Sequence, residues 1–147
     1  MKLYYADGSL KYSGEGEDGN PAGQGIAYWE TGVIWYKGEF SQGKPNGWGE
    51  MYFPSGRIRY RGEISDIKFC GYGTEFYENG HVKFTGTQKK SHYFFYGTRN
   101  YIEGCLYNID GSLKYEGTFK GTKNYKYNVG VEYLADGRRV LHGFIRK

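Results

Sequence analysis

The chain has 147 residues, with 25 Gly, 17 Tyr and 9 Phe but 3 Pro, and a formal net charge of +4 from 20 basic and 16 acidic side chains. That length suits one domain spanning 1–147, and the aromatic content argues against disorder. The mild, interleaved charge permits an acidic partner without demanding one.

From the N-terminus, Met1-Lys2-Leu3-Tyr4-Tyr5 runs straight into a strand pattern with no apolar leader region, and no later run is long enough for a membrane span, so a cytoplasmic protein is expected. Gly8 then opens a motif that recurs. Gly8, Gly32, Gly56 and Gly80 are 24 residues apart, and Gly111 and Gly137 follow at 31 and 26. Such a period marks stacked supersecondary units.

After each anchor glycine, apolar and polar residues alternate, as in a strand with one buried face. Leu10/Tyr12, Ile34/Tyr36/Phe40, Ile58/Tyr60/Ile64, Val82/Phe84 and Leu113/Tyr115/Phe119 are the expected inner rows. A glycine six residues after each anchor, from Gly14 and Gly38 to Gly117 and Gly143, is expected on the same face. There a ring from the neighbouring unit can cross the backbone, or a second backbone can come close. A second strand opens at Gly25, Gly49, Gly73, Gly104 and Gly130 and carries a further aromatic row, Tyr28, Tyr52, Phe76, Tyr107 and Tyr133. Turns such as Glu30-Thr31-Gly32 and Glu78-Asn79-Gly80 join strands in antiparallel hairpins.

These elements predict an all-β fold, an elongated single sheet of stacked antiparallel β-hairpins with about five repeats plus capping half-repeats. Residues 3–5 and 140–145 supply the terminal strands, whose edges offer a route to a homodimer by strand addition.

The stretch Tyr36-Lys37-Gly38-Glu39-Phe40-Ser41-Gln42-Gly43-Lys44-Pro45-Asn46-Gly47-Trp48-Gly49-Glu50-Met51-Tyr52-Phe53-Pro54-Ser55-Gly56 resembles a MORN repeat, and the surrounding units keep the same glycines with diverging loops. The resemblance implies a curved or twisted sheet of hairpins that makes protein contacts, with lipid headgroups as another proposed ligand, and it implies neither catalysis nor a cofactor. The short period and repeat style also resemble bacterial antitoxin-like proteins built from variant MORN repeats.

The fourth unit departs from the pattern. Gly86 to Gly104 is 18 residues where the first three units have 11, giving an insert at about 87–103 that contains Tyr93, Phe94, Phe95, Tyr96, Arg99 and Tyr101. Aromatic and Arg side chains of this kind anchor interfaces. The alternatives are that the aromatics pack on the neighbouring unit, or that Gly97, also 11 residues after Gly86, takes the strand position and Tyr101 protrudes with Ile102.

Among outward positions, Lys11, Trp35, Arg59, Lys83 and Lys114 share one repeat position and Lys37 and Arg61 lie two further on, so alternation aligns them in a basic stripe beside Glu15, Glu39 and Glu63. Two readings of the stripe stand: a solvated Lys/Glu ladder, or a site for anionic lipid or nucleic acid using Lys11, Lys37, Arg59, Arg61 and Lys83. His81, His92 and His142 lack ligand spacing, and Cys70 and Cys105 sit at unlike repeat positions, so neither a metal site nor a repeated disulfide is expected. The functional expectation is a non-enzymatic module that binds another protein, of antitoxin, immunity or other inhibitor type, with a passive scaffold as a further alternative to the anionic-ligand site. Tyr93, Phe94, Phe95, Tyr96, Arg99 and Tyr101 are its expected contacts, with Trp35, Arg59 and Arg61 as a secondary surface.

Overall fold

The computed structural model describes residues 1–90, 101–121 and 126–143. They form twelve strands in one open antiparallel sheet whose spatial order follows the sequence. The strands are β1 (Lys2–Tyr4), β2 (Leu10–Glu17), β3 (Asn20–Tyr28), β4 (Ile34–Ser41), β5 (Lys44–Tyr52), β6 (Ile58–Ser65), β7 (Lys68–Phe76), β8 (Val82–Gln88), β9 (Tyr101–Tyr107), β10 (Leu113–Lys120), β11 (Lys126–Tyr133) and β12 (Arg139–His142). At about 4.8 Å per strand the sheet extends on the order of 50 Å. Five hairpins, β2–β3 to β10–β11, lie between β1 and β12, which is the stacked array that the repeat period predicts.

A lane of glycine crosses this sheet. Gly14 pairs with Gly25, Gly25 with Gly38, and the chain of pairs continues through Gly49, Gly62, Gly73, Gly86, Gly104 and Gly117 to Gly130. Beside it on the same face runs the row Leu3, Tyr12, Ala27, Tyr36, Met51, Tyr60, Glu75, Phe84, Leu106, Tyr115, Glu132 and Val140. The rings of this row lie over the lane. A β-carbon added at Gly25, Gly49 or Gly73 would meet a ring carbon of Tyr12, Tyr36 or Tyr60, respectively, at 2.5 Å. The ring thus comes from the glycine's own hairpin, two residues ahead of the lane, and not from a neighbouring unit.

Each phenol is tied down at its far end. Tyr36, Tyr60 and Tyr115 donate to the carbonyls of Glu39, Glu63 and Thr118 at 2.7 Å, and Tyr12 donates to that of Glu15. A buried hydroxyl without a partner is unfavourable, so this bond is what lets a tyrosine occupy a core position. Tyr36, Tyr60, Phe84 and Tyr115 are fully buried.

Alternation breaks at the start of each hairpin. Ile34 pairs with Tyr28 but Tyr36 pairs with Ala27, which leaves Trp35 as an extra, bulged residue. Lys11, Arg59, Lys83 and Lys114 hold the same place in β2, β6, β8 and β10. The physical reason is a register conflict. Turn-closing bonds such as Trp29 N–H to Val33 O at 2.7 Å fix one register, and the paired glycines fix another one residue away. A β-bulge absorbs the difference.

The bulge corrects the expected inner rows. Cross-strand partners share a face, so Leu10, Ile34, Ile58, Val82 and Leu113 go to the back of the sheet, the first four with Tyr4, Tyr28, Tyr52 and Phe76. The aromatic residue two positions later stays on the ring face. Phe40, Ile64 and Phe119 remain with the rings, Phe40 meeting Tyr36 edge-on at 5.1 Å.

The ring face carries two apolar clusters. Tyr12, Ala27, Tyr36, Phe40, Met51, Tyr60 and Ile64 make the first, and Phe84, Tyr101, Leu106, Tyr115 and Phe119 the second. Between them, Glu75 replaces the residue equivalent to Met51 or Leu106, and Gln88 the one equivalent to Phe40 or Ile64. Gln88 is buried, and its Nε2 has no partner among the described residues. Gly86 pairs with Gly104, so Gly97 does not take the lane position and the extra residues lie between β8 and β9.

Candidate functional site

The bulge divides the expected basic stripe between two faces. On the ring side, Arg59 lies 5.7 Å from the rings of both Phe53 and Phe69, and Phe69 itself stacks on Tyr60 at 3.9 Å. Lys11 covers Tyr5 at 5.5 Å and Lys83 covers Tyr77 at 5.4 Å. Trp35 fills the same place against Trp29 at 5.9 Å and packs on the first cluster. The residue at each of these bulges therefore faces the aromatic that opens the preceding turn, a cation–π pair in three repeats and a Trp pair in one.

Lys37 and Arg61 lie on the back, each as a cross-strand partner of Glu50. Arg61 pairs with Glu50 at 3.6 Å and covers Phe76 at 5.9 Å. Lys11, Lys37, Arg59, Arg61 and Lys83 thus do not form one stripe. The alternation rule joined positions two apart, and the bulge between Arg59 and its pairing register had no signature in a single repeat. Comparing the register needed to close the turn with the register needed to align Gly25 and Gly38 would have exposed it.

Glu15, Glu39 and Glu63 are not a simple solvated ladder either. They stand beside a second irregularity, where Gly38 pairs with Gly49 but Phe40 pairs with Pro45, so three residues of β5 face Glu39 alone. The stranded Trp48 N–H donates to the Glu39 carboxylate. Charge-assisted bonds to backbone are among the stronger ones. Glu15 and Glu63 reach the equivalent glycines, Gly23 and Gly71, in their own hairpins.

The expected insert contacts separate in the same way. Tyr93, Phe94, Phe95, Tyr96 and Arg99 lie outside the described residues. Tyr101 does not protrude: it is 2% exposed, stacks on Phe84 at 3.8 Å and donates to Glu75 at 2.6 Å. It belongs to the second apolar cluster, while its neighbour Ile102 is exposed.

Sequence reasoning missed the exposed pair Trp48 and Tyr72, which are 48% and 53% exposed. They occupy the middle of Gly47-Trp48-Gly49 and Gly71-Tyr72-Gly73, on the back of the sheet opposite the ring row. The signal was available as an aromatic at the position where the first repeat has Gln24.

Titration chemistry at the cysteines is unremarkable for a nucleophile. Burial pushes both the Cys70 and Cys105 thiols up, with Glu63 and Glu116 respectively adding to the shift. Both are held in the weakly nucleophilic thiol form at neutral pH. Among the described residues no group of three His, Cys, Asp or Glu side chains gathers as a metal site, and no helix is long and apolar enough to cross a membrane.

The MORN repeat family model matches residues 12–34, 36–56 and 60–82. Residues 12–82 are thus an array of three MORN repeats. The matched MORN segments coincide with the hairpins that carry a glutamate over a glycine-containing bulge. MORN repeats are commonly binding modules, which is compatible with a non-enzymatic binding role for this chain. Comparison with curated proteins finds no match.

Proposed function

We propose that this MORN array is a protein-binding module that acts by covering a functional face of its partner, as an inhibitor of antitoxin or immunity type working in the cytoplasm. One observation carries the reading. Equivalent residues of successive repeats line up in straight cross-strand rows, and on the back of the sheet such a row presents Trp48 and Tyr72 half exposed on a rigid scaffold. Preformed aromatic anchors of this kind are a low-entropy way to bind a protein. On sequence grounds, the insert with Tyr93, Phe94, Phe95, Tyr96 and Arg99 supplies a second contact.

The alternative, an anionic lipid or nucleic acid held by a basic stripe, has less support. The five cations are divided between two faces, and Lys11, Arg59, Arg61 and Lys83 already cover rings. The two readings differ in salt response. Capture from nuclease-treated lysate at low and high salt, beside sedimentation with anionic vesicles, tests them. A protein retained at high salt supports the proposed function. Retention limited to vesicles, or to lysate left untreated with nuclease, and abolished by salt overturns it.

A further inference from the structure

Trp48 and Tyr72 raise a question that the fold does not answer. Large rings are ordinarily buried, and here neither joins an apolar cluster. Nor does the bulge require an aromatic, because Gln24 holds the same position in the first hairpin. The fold therefore does not demand an aromatic at either position, and the surroundings of the pair indicate what it meets.

Along the back-face row, Glu39 stands beside Trp48, Trp48 pairs with Glu63, Glu63 borders Gly71 ahead of Tyr72, and Tyr72 pairs with Thr87. The row thus alternates carboxylate and ring. Two cations on this part of the sheet are already engaged, Arg61 with Glu50 and Phe76, and Lys44 with Asp66 at 3.2 Å. A phosphate ligand would be repelled by Glu39 and Glu63. A guanidinium or ammonium group would gain both a ring face and a carboxylate.

Spacing adds a second constraint. Trp48 on β5 and Tyr72 on β7 are two strands apart, about 9.6 Å, and three residues of polyproline II chain advance about 9.3 Å and return to the same side of the segment. A segment crossing the strands with a basic residue at every third position would set one cation on each ring. Resting on the protein-binding function above, we propose that the row carrying Trp48 and Tyr72 docks an extended arginine- or lysine-bearing segment of the partner protein.

The test uses the intact chain and the variant Trp48→Gln/Tyr72→Gln, which copies the native Gln24 environment and is checked for folding by circular dichroism. The probe is a fluorescent (Arg-Ser-Ser)5 peptide, with an isomer of the same composition whose arginines are contiguous. The native chain is expected to bind the spaced peptide at least tenfold more tightly than the variant does, and several-fold more tightly than it binds the isomer. Equal binding by chain and variant, or no binding to the native chain, overturns the inference. A dimer that the double substitution dissociates in sedimentation overturns it too, because the occupant is then a second copy. Lysate capture separates the two levels. A salt-tolerant partner held equally by both chains leaves the protein-binding function standing while this docking row falls, and no retained protein from either removes the function itself.

Discussion

In the first three hairpins, β2–β3 to β6–β7, three residues of the second strand face one glutamate beside the glycine lane; in β8–β9 and β10–β11, two residues face one threonine. The longer bulge needs a residue with positive φ, as at Gly47 with φ of 114°, and a carboxylate to take the stranded N–H. The shorter one has no glycine there. Thr118 Oγ1 accepts the Val129 N–H at 3.1 Å instead. The glycine lane and the cross-strand row beside it stay in register across both halves, and the family match stops where the bulge changes, at residue 82. The stacking of hairpins thus depends on the lane, whereas the bulge is a local module with two interchangeable forms.

The largest effect is expected where the halves agree. Gly49→Ala places a methyl 2.5 Å from the Tyr36 ring, and the ring has nowhere to go because it is fully buried. Overpacking of this severity should cost about 3 kcal/mol, measured by urea denaturation. Gly8→Ala is the control: its φ is 89° but no atom lies within 4 Å of the new methyl, so the loss should be limited to backbone strain of about 1–2 kcal/mol. Gly49 has no positive φ, so equal losses would show that the Tyr36 ring yields to the methyl and that ring contact does not define the lane.

The next prediction concerns the point of difference. Glu39→Ala removes a charged acceptor and strands the Trp48 N–H, which should cost about 2 kcal/mol. Thr118→Ala removes a neutral acceptor and should cost about 1 kcal/mol. If the order is reversed, the carboxylate is not what supports the longer bulge.

Legibility in the sequence follows the same division. The all-β array could be read because the glycine period is regular and each strand alternates. The pairing of Gly14 with Gly25 across strands gives physical meaning to glycines that the sequence shows only as a recurring pair. The faces could not be read as reliably. Ile34-Trp35-Tyr36 looks like uninterrupted alternation, yet one bulged residue sends Ile34 and Tyr36 to opposite sides. The error passed directly to the site, because it made Arg59 and Arg61 neighbours in a stripe. Tyr101 looks like a contact in the sequence for a related reason: an aromatic beside an insert looks exposed until its pairing with Gln88 places it on the ring face.

A smaller effect sits at the seam between the halves. Gln88 holds a position that is Phe40 or Ile64 in earlier repeats, and its amide nitrogen is buried without a partner among the described residues. Gln88→Leu should stabilise by about 1 kcal/mol, by removing an unsatisfied group and joining the two apolar clusters. The three tryptophans, Trp29, Trp35 and Trp48, all report on the first half. In a repeat array whose stability is a sum of unit and interface terms, their fluorescence transition should lie apart from the circular-dichroism transition in the native chain and coincide with it in the variant. Unchanged separation would show that the seam does not uncouple the halves.

The smallest effect at neutral pH reverses in base. Tyr60→Phe loses the bond to Glu63 O at 2.7 Å and should cost about 1 kcal/mol at pH 8. Burial first, then the charges of Cys70, Glu75 and Glu63, push the Tyr60 phenol well above its ordinary value of 10.0, and Tyr36 is raised by burial and Glu39. The neutral phenol is therefore favoured by folding. The stability tied to it is complete below pH 10.0, where the unfolded phenol is also protonated, and is lost as pH rises through that value toward the raised folded one. Tyr12, Tyr36 and Tyr60 carry this bond in the first half, whereas in the second Tyr115 carries it and Phe84 lacks the group, so alkaline loss should appear first in tryptophan fluorescence. Denaturation at pH 8 and pH 11 should show Tyr60→Phe weaker than the native chain at the lower pH and level with it or stronger at the higher. A difference that stays constant between the two would mean that the buried phenol contributes its hydrogen bond alone and carries no linkage to protons.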